Sequence, residues 1–211
     1  KFVDDVNGGS FDAVIDLGDR ISDETAERDA ELQRAVATSF HRLGNKPRHH
    51  LIGNHDFALL SADENAAILE APLQTRATVV GDIRLAFWQP DVSLTPERGF
   101  HLAEGDLAAL DTLLNADDRP TLLVTHVPLS GHAQTGNYYF ERNPGHSTYA
   151  EGDDIRGVIA RAPCPLIALA GHVHWNTLTV VDGVPHLTQQ SLTETFTTGE
   201  PAGSTAVIEI D

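Results

Sequence analysis

The sequence predicts a layered α/β fold, and three observations carry that expectation. Short apolar runs alternate with segments whose apolar residues recur every three or four positions, the pattern of strands interleaved with helices. Several of the apolar runs end directly at a polar motif, as strands do when they deliver side chains to one edge of a sheet. The composition, 211 residues with 41% hydrophobic and 21% charged, supplies a core and is neither disordered nor fibrous in type.

The elements follow in order. The chain opens on Lys1 with a charged FVDDV segment, and no Met occurs anywhere in it. Residues 13–17 (AVIDL) read as a buried strand ending in a Gly-Asp turn. Over 24–43, Leu32, Ala35, Val36, Ser39, Phe40 and Leu43 keep the spacing of an amphipathic helix, with Ser22 or Asp23 as cap and Gly44 as stop. A second strand, 48–52, runs into Gly53-Asn54-His55-Asp56, and His49 and His50 at its start read as solvated. Residues 76–80 and 83–88, around Gly81-Asp82, predict a β-hairpin with a type I′-like turn.

The alternation then resumes. Leu107, Leu110, Leu113 and Leu114 mark a helix, and residues 120–126 (PTLLVTH) a strand that carries His126 at its end. The stretch 130–152 has neither period and is rich in Gly, Asn, His and Tyr, which suits a long loop with a role. A helix over 155–160 precedes a strand at 165–170 (PLIALA), which ends at Gly171-His172-Val173-His174. A second hairpin, 177–181 and 184–188 around Asp182-Gly183, and a closing strand at 205–210 complete the pattern. No linker divides the chain, so residues 1–211 are expected to be a single domain.

Charge excludes some functions. Fourteen Lys and Arg against 31 Asp and Glu leave a net −17, the wrong sign for gripping nucleic-acid polymers or anionic lipid by bulk charge. No apolar run approaches the roughly 18 residues of a spanning helix, so no membrane partner is expected. Cys164, between Pro163 and Pro165, is the one cysteine and reads as a buried thiol.

The chemistry sits in four motifs, each behind a predicted strand: Gly18-Asp19, Gly53-Asn54-His55-Asp56, Thr125-His126 and Gly171-His172-Val173-His174. Together they supply a carboxylate, an amide and imidazoles. Such a mixture of hard oxygen and borderline nitrogen donors suits Mn, Fe or Zn better than Mg or Ca. The glycine before Asp19, Asn54 and His172 lets the backbone turn sharply while the next side chain points at a crowded site. Each residue also has a plainer reading. Asp19 and Asn54 are turn formers, His126 fits a strand-end core histidine, and His172 with His174 fits a pair of strand histidines pointing to one side.

In this order and spacing the motifs resemble the calcineurin-like metallophosphoesterases, over nearly the whole chain. The resemblance implies a four-layer α/β/β/α sandwich of two mixed sheets and two divalent metals bridged by the GD carboxylate. It implies that Asp19 bridges, that Asn54, His126 and His172 complete one site, and that His174 belongs to the other. His55 resembles the histidine that serves the leaving group. The implied reaction is hydrolysis of a small phosphodiester or phosphomonoester by metal-bound hydroxide, with two metals about 3.5–4 Å apart. The GNHD and GHVH pair looks most like the bacterial branch that includes cyclic-nucleotide phosphodiesterases.

Two departures qualify the resemblance. The family's opening Asp-x-His motif does not occur in this sequence, and the expectation is that it lies upstream of Lys1, the chain being truncated there. One metal site is then complete, and a second metal is held poorly. Ser22 stands where many relatives carry the Asp of GDxxD, which leaves Asp23 or Asp56 to orient His55. In the loop 130–152, His132, Tyr138, Arg142 and their neighbours suit a base or phosphate, or simply pack on the body. Arg20 suits either a substrate phosphate or a salt bridge. The rival to an enzyme is a scaffold or metal-binding interaction module on the same fold, and a cytoplasmic location is the expectation for either.

Overall fold

The computed structural model describes residues 1–196 and 198–210, and the chain divides into two compact units, Lys1–Leu73 and Gln74–Asp211. In the first unit the order is α1 (Phe2–Gly8), β1 (Val14–Asp16), α2 (Ala26–His41), β2 (Arg48–His50), α3 (Asn54–Ala58) and α4 (Ala62–Leu69). Parallel pairing of β1 with β2 requires a crossover, and α2 supplies it. The register sets Asp16 opposite His50. That pairing corrects the solvated reading of His50, whose buried ring donates from Nδ1 to Asp16 at 2.8 Å.

Helix α2 is capped by Thr25, whose hydroxyl accepts the Arg28 N–H, rather than by Ser22 or Asp23. Asp23 is turned away in the left-handed region (φ 51), two residues too early to reach the first turn. Gly44 follows the helix with φ +64, the conformation that suits a stop. The fully buried side of α2 is Asp29, Gln33 and Ala37, while Ala35 and Ser39 of the predicted stripe are exposed. The reason is polar. Gln33 donates to Asn65 of α4 at 2.7 Å and accepts from the Arg20 guanidinium at 3.2 Å. Phe40 and Leu43 do turn inward, joining Val6 and Val14 in a small apolar cluster with Phe2, Val3 and Phe11. Helices α1, α3 and α4 were not read from the sequence, although Ser61 and Glu64 form a reciprocal capping box at the start of α4.

The second unit contains β3 (Arg76–Val80), β4 (Ile83–Phe87), a short pair β5 (Leu94–Thr95) and β6 (Gly99–Phe100), α5 (Asp106–Asn115), β7 (Thr121–Thr125), α6 (Gly152–Ile159), β8 (Leu166–Ala170), β9 (Thr177–Val181) and β10 (Val184–Thr188). Its six-stranded mixed sheet runs β3-β4-β7-β8-β10-β9. The four inner strands are parallel and the two edge strands antiparallel. Central strand β7 is buried along its whole length, which accounts for its unbroken apolar run. Leu110, Leu113 and Leu114 of α5 and Ile155, Val158 and Ile159 of α6 share one core with Leu123, Ala168, Trp88, Phe100 and Tyr149.

The α/β class therefore stands, as a six-stranded mixed sheet with helices. Two details differ from expectation. The turn at Gly81-Asp82 has positive φ only at Gly81, the II′ pattern, whereas Asp182 and Gly183 are both left-handed as type I′ requires. Residues 205–210 form no strand: Val207, Ile208 and Ile210 are exposed, and no described strand takes up their alternating pattern. Among the described residues no helix is long and apolar enough to cross a membrane.

Candidate metal centre

In the first unit the GD and GNHD motifs interlock. The chain leaves β1 through Gly18 (φ +94) and Asp19 (φ 59), and leaves β2 through Gly53, which caps α3. A Cβ on Gly18 would lie 2.5 Å from the Gly53 nitrogen, and one on Gly53 would lie 2.1 Å from Asp19 Oδ1. Both glycines are thus required by close approach, as their place before a polar side chain suggested. Asp19 Oδ1 accepts the His55 N–H at 3.0 Å, and Asn54 opens α3 beside it.

Asp56 clasps the two loops. Fully buried, it accepts from the backbone N–H groups of Asp19 and Arg20 at 2.8 Å each and of Gly53 at 3.0 Å. Burial pushes its carboxyl above the usual range and the charge on Asp19 adds to this, while Arg20 opposes both. Of the two candidates it is Asp23 that meets His55: its Oδ1 accepts from His55 Nδ1 at 3.1 Å on the exposed side. Asp56 holds backbone instead of facing the imidazole.

Arg20 takes the salt-bridge alternative rather than a position for substrate. Its guanidinium, 4% exposed, pairs with Asp16 at 2.7 Å and Asp56 at 3.0 Å and donates to the Leu51 carbonyl at 2.8 Å. Burial alone would lower its pKa, but Asp16 and Asp56 outweigh it and raise the value. For Asp16, burial is again the largest single influence and pushes upward. The Arg20 and His50 charges and hydrogen bonds overcome it and hold the carboxyl well below the usual range.

In the second unit, neighbouring strands β7 and β8 bring two of the predicted histidines together. His126 follows β7 directly, His172 follows β8 by two residues, and the Gly171 N–H donates to the His126 carbonyl at 3.0 Å. The imidazole rings lie 5.1 Å apart at 67°, both buried. Phe100 and Phe140 meet the His172 ring edge-on at 5.1 and 5.0 Å. His172 Nε2 donates to the His146 carbonyl at 2.7 Å.

His174 diverges from His172. Both are left-handed, with φ 50 and 64, so the segment is not the extended one that period-two reasoning supposed. His174 Nδ1 instead meets the buried Glu194 carboxylate at 2.8 Å. Glu194 was missed in the sequence because nothing in spacing links it to a histidine 20 residues earlier. Among the described residues seven non-glycines have positive φ, and Asp19, Asp23, His172 and His174 are four of them. Backbone strain of this kind gathers where side chains are held for chemistry.

The loop 130–152 divides by residue. His132 Nδ1 accepts the Gln134 N–H at 2.9 Å, a local turn contact. Tyr139 donates to His146 Nδ1 at 2.8 Å, and so steadies the residue whose carbonyl holds His172. Tyr138 stands exposed against Phe196, and Arg142 is exposed on a turn.

A model of the calcineurin-like phosphoesterase family matches residues 1–176. No curated protein matches the sequence. Among solved structures, the chain is similar to a dimetal phosphatase from Danio rerio, with 16% identity and a TM-score of 0.59, over 89% of this chain and 75% of that one. It is also similar to the phosphopantetheinyl hydrolase of Mycobacterium tuberculosis, with 13% identity and a TM-score of 0.50, over 83% and 77% of the two chains. At these identities the likeness is one of fold.

Proposed function

The chain belongs to the calcineurin-like phosphoesterase family, and from that premise we propose that it is a metal-dependent hydrolase of a small phosphate ester, its two units acting as one phosphoesterase domain. The observation that carries the reading is the family match across both pairs of motifs, joined to the left-handed backbone of Asp19, His172 and His174 and the close glycine contacts around Asp19. Left-handed non-glycine residues are uncommon and cluster at functional sites. The donor set, one carboxylate, one amide and imidazole nitrogens, fits Mn, Fe or Zn.

Asp19, Asn54, His126 and His172 would hold one metal, and Asp19 with His174 a second, weaker one. His172 would offer Nδ1, because a carbonyl only accepts and its Nε2 proton is committed to His146. When bound, the metals supply Lewis-acid polarisation of the phosphoryl group and activation of water. His55, partly exposed and with Nδ1–H held by Asp23, would handle the leaving-group proton at Nε2. Tyr138 and Arg142 would meet the ester's organic part and its charge. Small esters are favoured over polymers because the −17 charge repels a long polyanion, whereas a metal centre reverses the field locally. The likeness of GNHD and GHVH to the cyclic-nucleotide branch makes a phosphodiester the first substrate to try.

The test is hydrolysis of bis(p-nitrophenyl) phosphate and p-nitrophenyl phosphate by manganese-loaded protein, alongside metal analysis. One tightly held metal per chain and turnover abolished by Asp19→Ala and His126→Ala are expected. Metal binding without turnover of either ester favours the scaffold reading. Two tightly held metals per chain would overturn the assignment of a weak second site.

A further inference from the structure

We propose that Glu194 is a positioning residue that decides which ring nitrogen of His174 is offered to a metal. The inference rests on the reading of His174 as a ligand. A carboxylate has only acceptor positions, so the 2.8 Å contact between Glu194 Oε2 and His174 Nδ1 places a proton on Nδ1. Nε2 is then the atom that carries the lone pair. Carboxylates commonly fix the tautomer and orientation of metal-binding histidines in this way.

Glu194 is built for this task. It is buried, and its second oxygen, Oε1, accepts the backbone N–H groups of Thr195 at 2.8 Å and Phe196 at 2.9 Å. Those two bonds lock the carboxylate plane and leave Oε2 aimed at the imidazole. His174 itself has φ 50, so its ring is held from both sides, by backbone conformation and by this hydrogen bond. Nothing in the family's motifs contains Glu194, since it lies beyond the matched residues 1–176.

The arrangement predicts an unusual outcome for Glu194→Gln. The amide oxygen is required by the two backbone N–H groups, so the NH2 faces His174 Nδ1 and can only donate. The proton must then move to Nε2, and the lone pair leaves the metal side. The loop stays ordered, because both of its backbone bonds survive, while the ligand is lost.

The experiment records 15N–1H long-range imidazole correlations of the metal-free protein, thermal unfolding, and manganese titration by calorimetry. In the natural chain His174 is expected as the Nδ1–H tautomer. In Glu194→Gln the Nε2–H tautomer is expected at an unchanged melting temperature, with the weaker manganese event lowered about 10–100-fold in affinity and the tight event retained. Glu194→Ala serves as the comparison that also releases the loop. A Glu194→Gln protein that keeps Nδ1–H, or binds the second manganese unchanged, would overturn the proposal. Failure of the natural chain to bind any manganese would count against the functional reading, and the tautomer measurement still decides the role of Glu194.

Discussion

Gly53→Ala separates steric demand from backbone strain at the proposed centre. Gly53 has φ −97 and ψ 174, which alanine adopts freely, so the substitution adds one methyl group and nothing else. That methyl carbon would stand 2.1 Å from Asp19 Oδ1 and 2.5 Å from the Asp19 nitrogen, where ordinary contact begins at 3.4 Å. Asp19 must therefore retreat by about 1.3 Å at its carboxylate, several times the roughly 0.2 Å tolerance of metal–ligand distances. Its hydrogen bonds to His55 and Asp56 stretch with it. Overpacking of this kind costs about 1–3 kcal/mol. For a chain of this length each kcal/mol lowers the melting temperature by roughly 2–4 °C. Calorimetric manganese titration and thermal unfolding in chelator measure the two effects separately. Gly8→Ala, where an added Cβ meets nothing within 4 Å, is the control: it keeps the metal affinity and leaves the melting temperature unchanged or slightly raised, since alanine suits a helix better than glycine. A Gly53→Ala protein with natural melting temperature and metal affinity would refute the claim that this contact sets the Asp19 position.

Three further outcomes follow from the same geometry. Asp56→Ala leaves Arg20 short of a partner and three backbone N–H groups without their acceptor, and should cost about 3–5 kcal/mol in urea unfolding. His55→Ala should slow esters with poor leaving groups about 10²–10⁴-fold and p-nitrophenyl esters far less, read as a change in the leaving-group dependence of kcat. Asp16 is pushed up by burial but pulled further down by Arg20 and His50. Its folded pKa lies below the unfolded one, so its stabilising contribution is full above pH of about 4 and fades as pH falls toward the folded value. The stability gap between the natural chain and Asp16→Asn in urea should accordingly narrow on acidification, and a constant gap would sink the assignment.

What the sequence revealed was whatever apolar periodicity and strand-end motifs encode. The buried strands β7 and β8 and the leucine face of α5 were legible because burial on a sheet or along a helix leaves an unbroken or regular apolar signal. His50 was misread because its burial depends on Asp16 across the β1–β2 register, a pairing that no local pattern records. Gln33 and Asp29 were invisible for a related reason: a helix face that buries polar side chains against a distant Asn65 looks solvated in sequence. The 205–210 segment failed in the opposite sense, since alternation alone does not supply a neighbouring strand. At the site, the strand-end motifs named the candidate donors and left Asp23 and Asp56 open as the partner of His55; the contact with Asp23, and that of Glu194 with His174, needed three dimensions.

The left-handed backbone at Asp19, Asp23 and His174 has a consequence for engineering. Each of these side chains reaches solvent in part, and each residue occupies a conformation that costs an L-amino acid roughly 1–2 kcal/mol and costs glycine almost nothing. A library selected for heat resistance would enrich glycine at these positions. The same library selected for turnover would discard those clones first, so the two rankings should run in opposite directions at Asp19, Asp23 and His174.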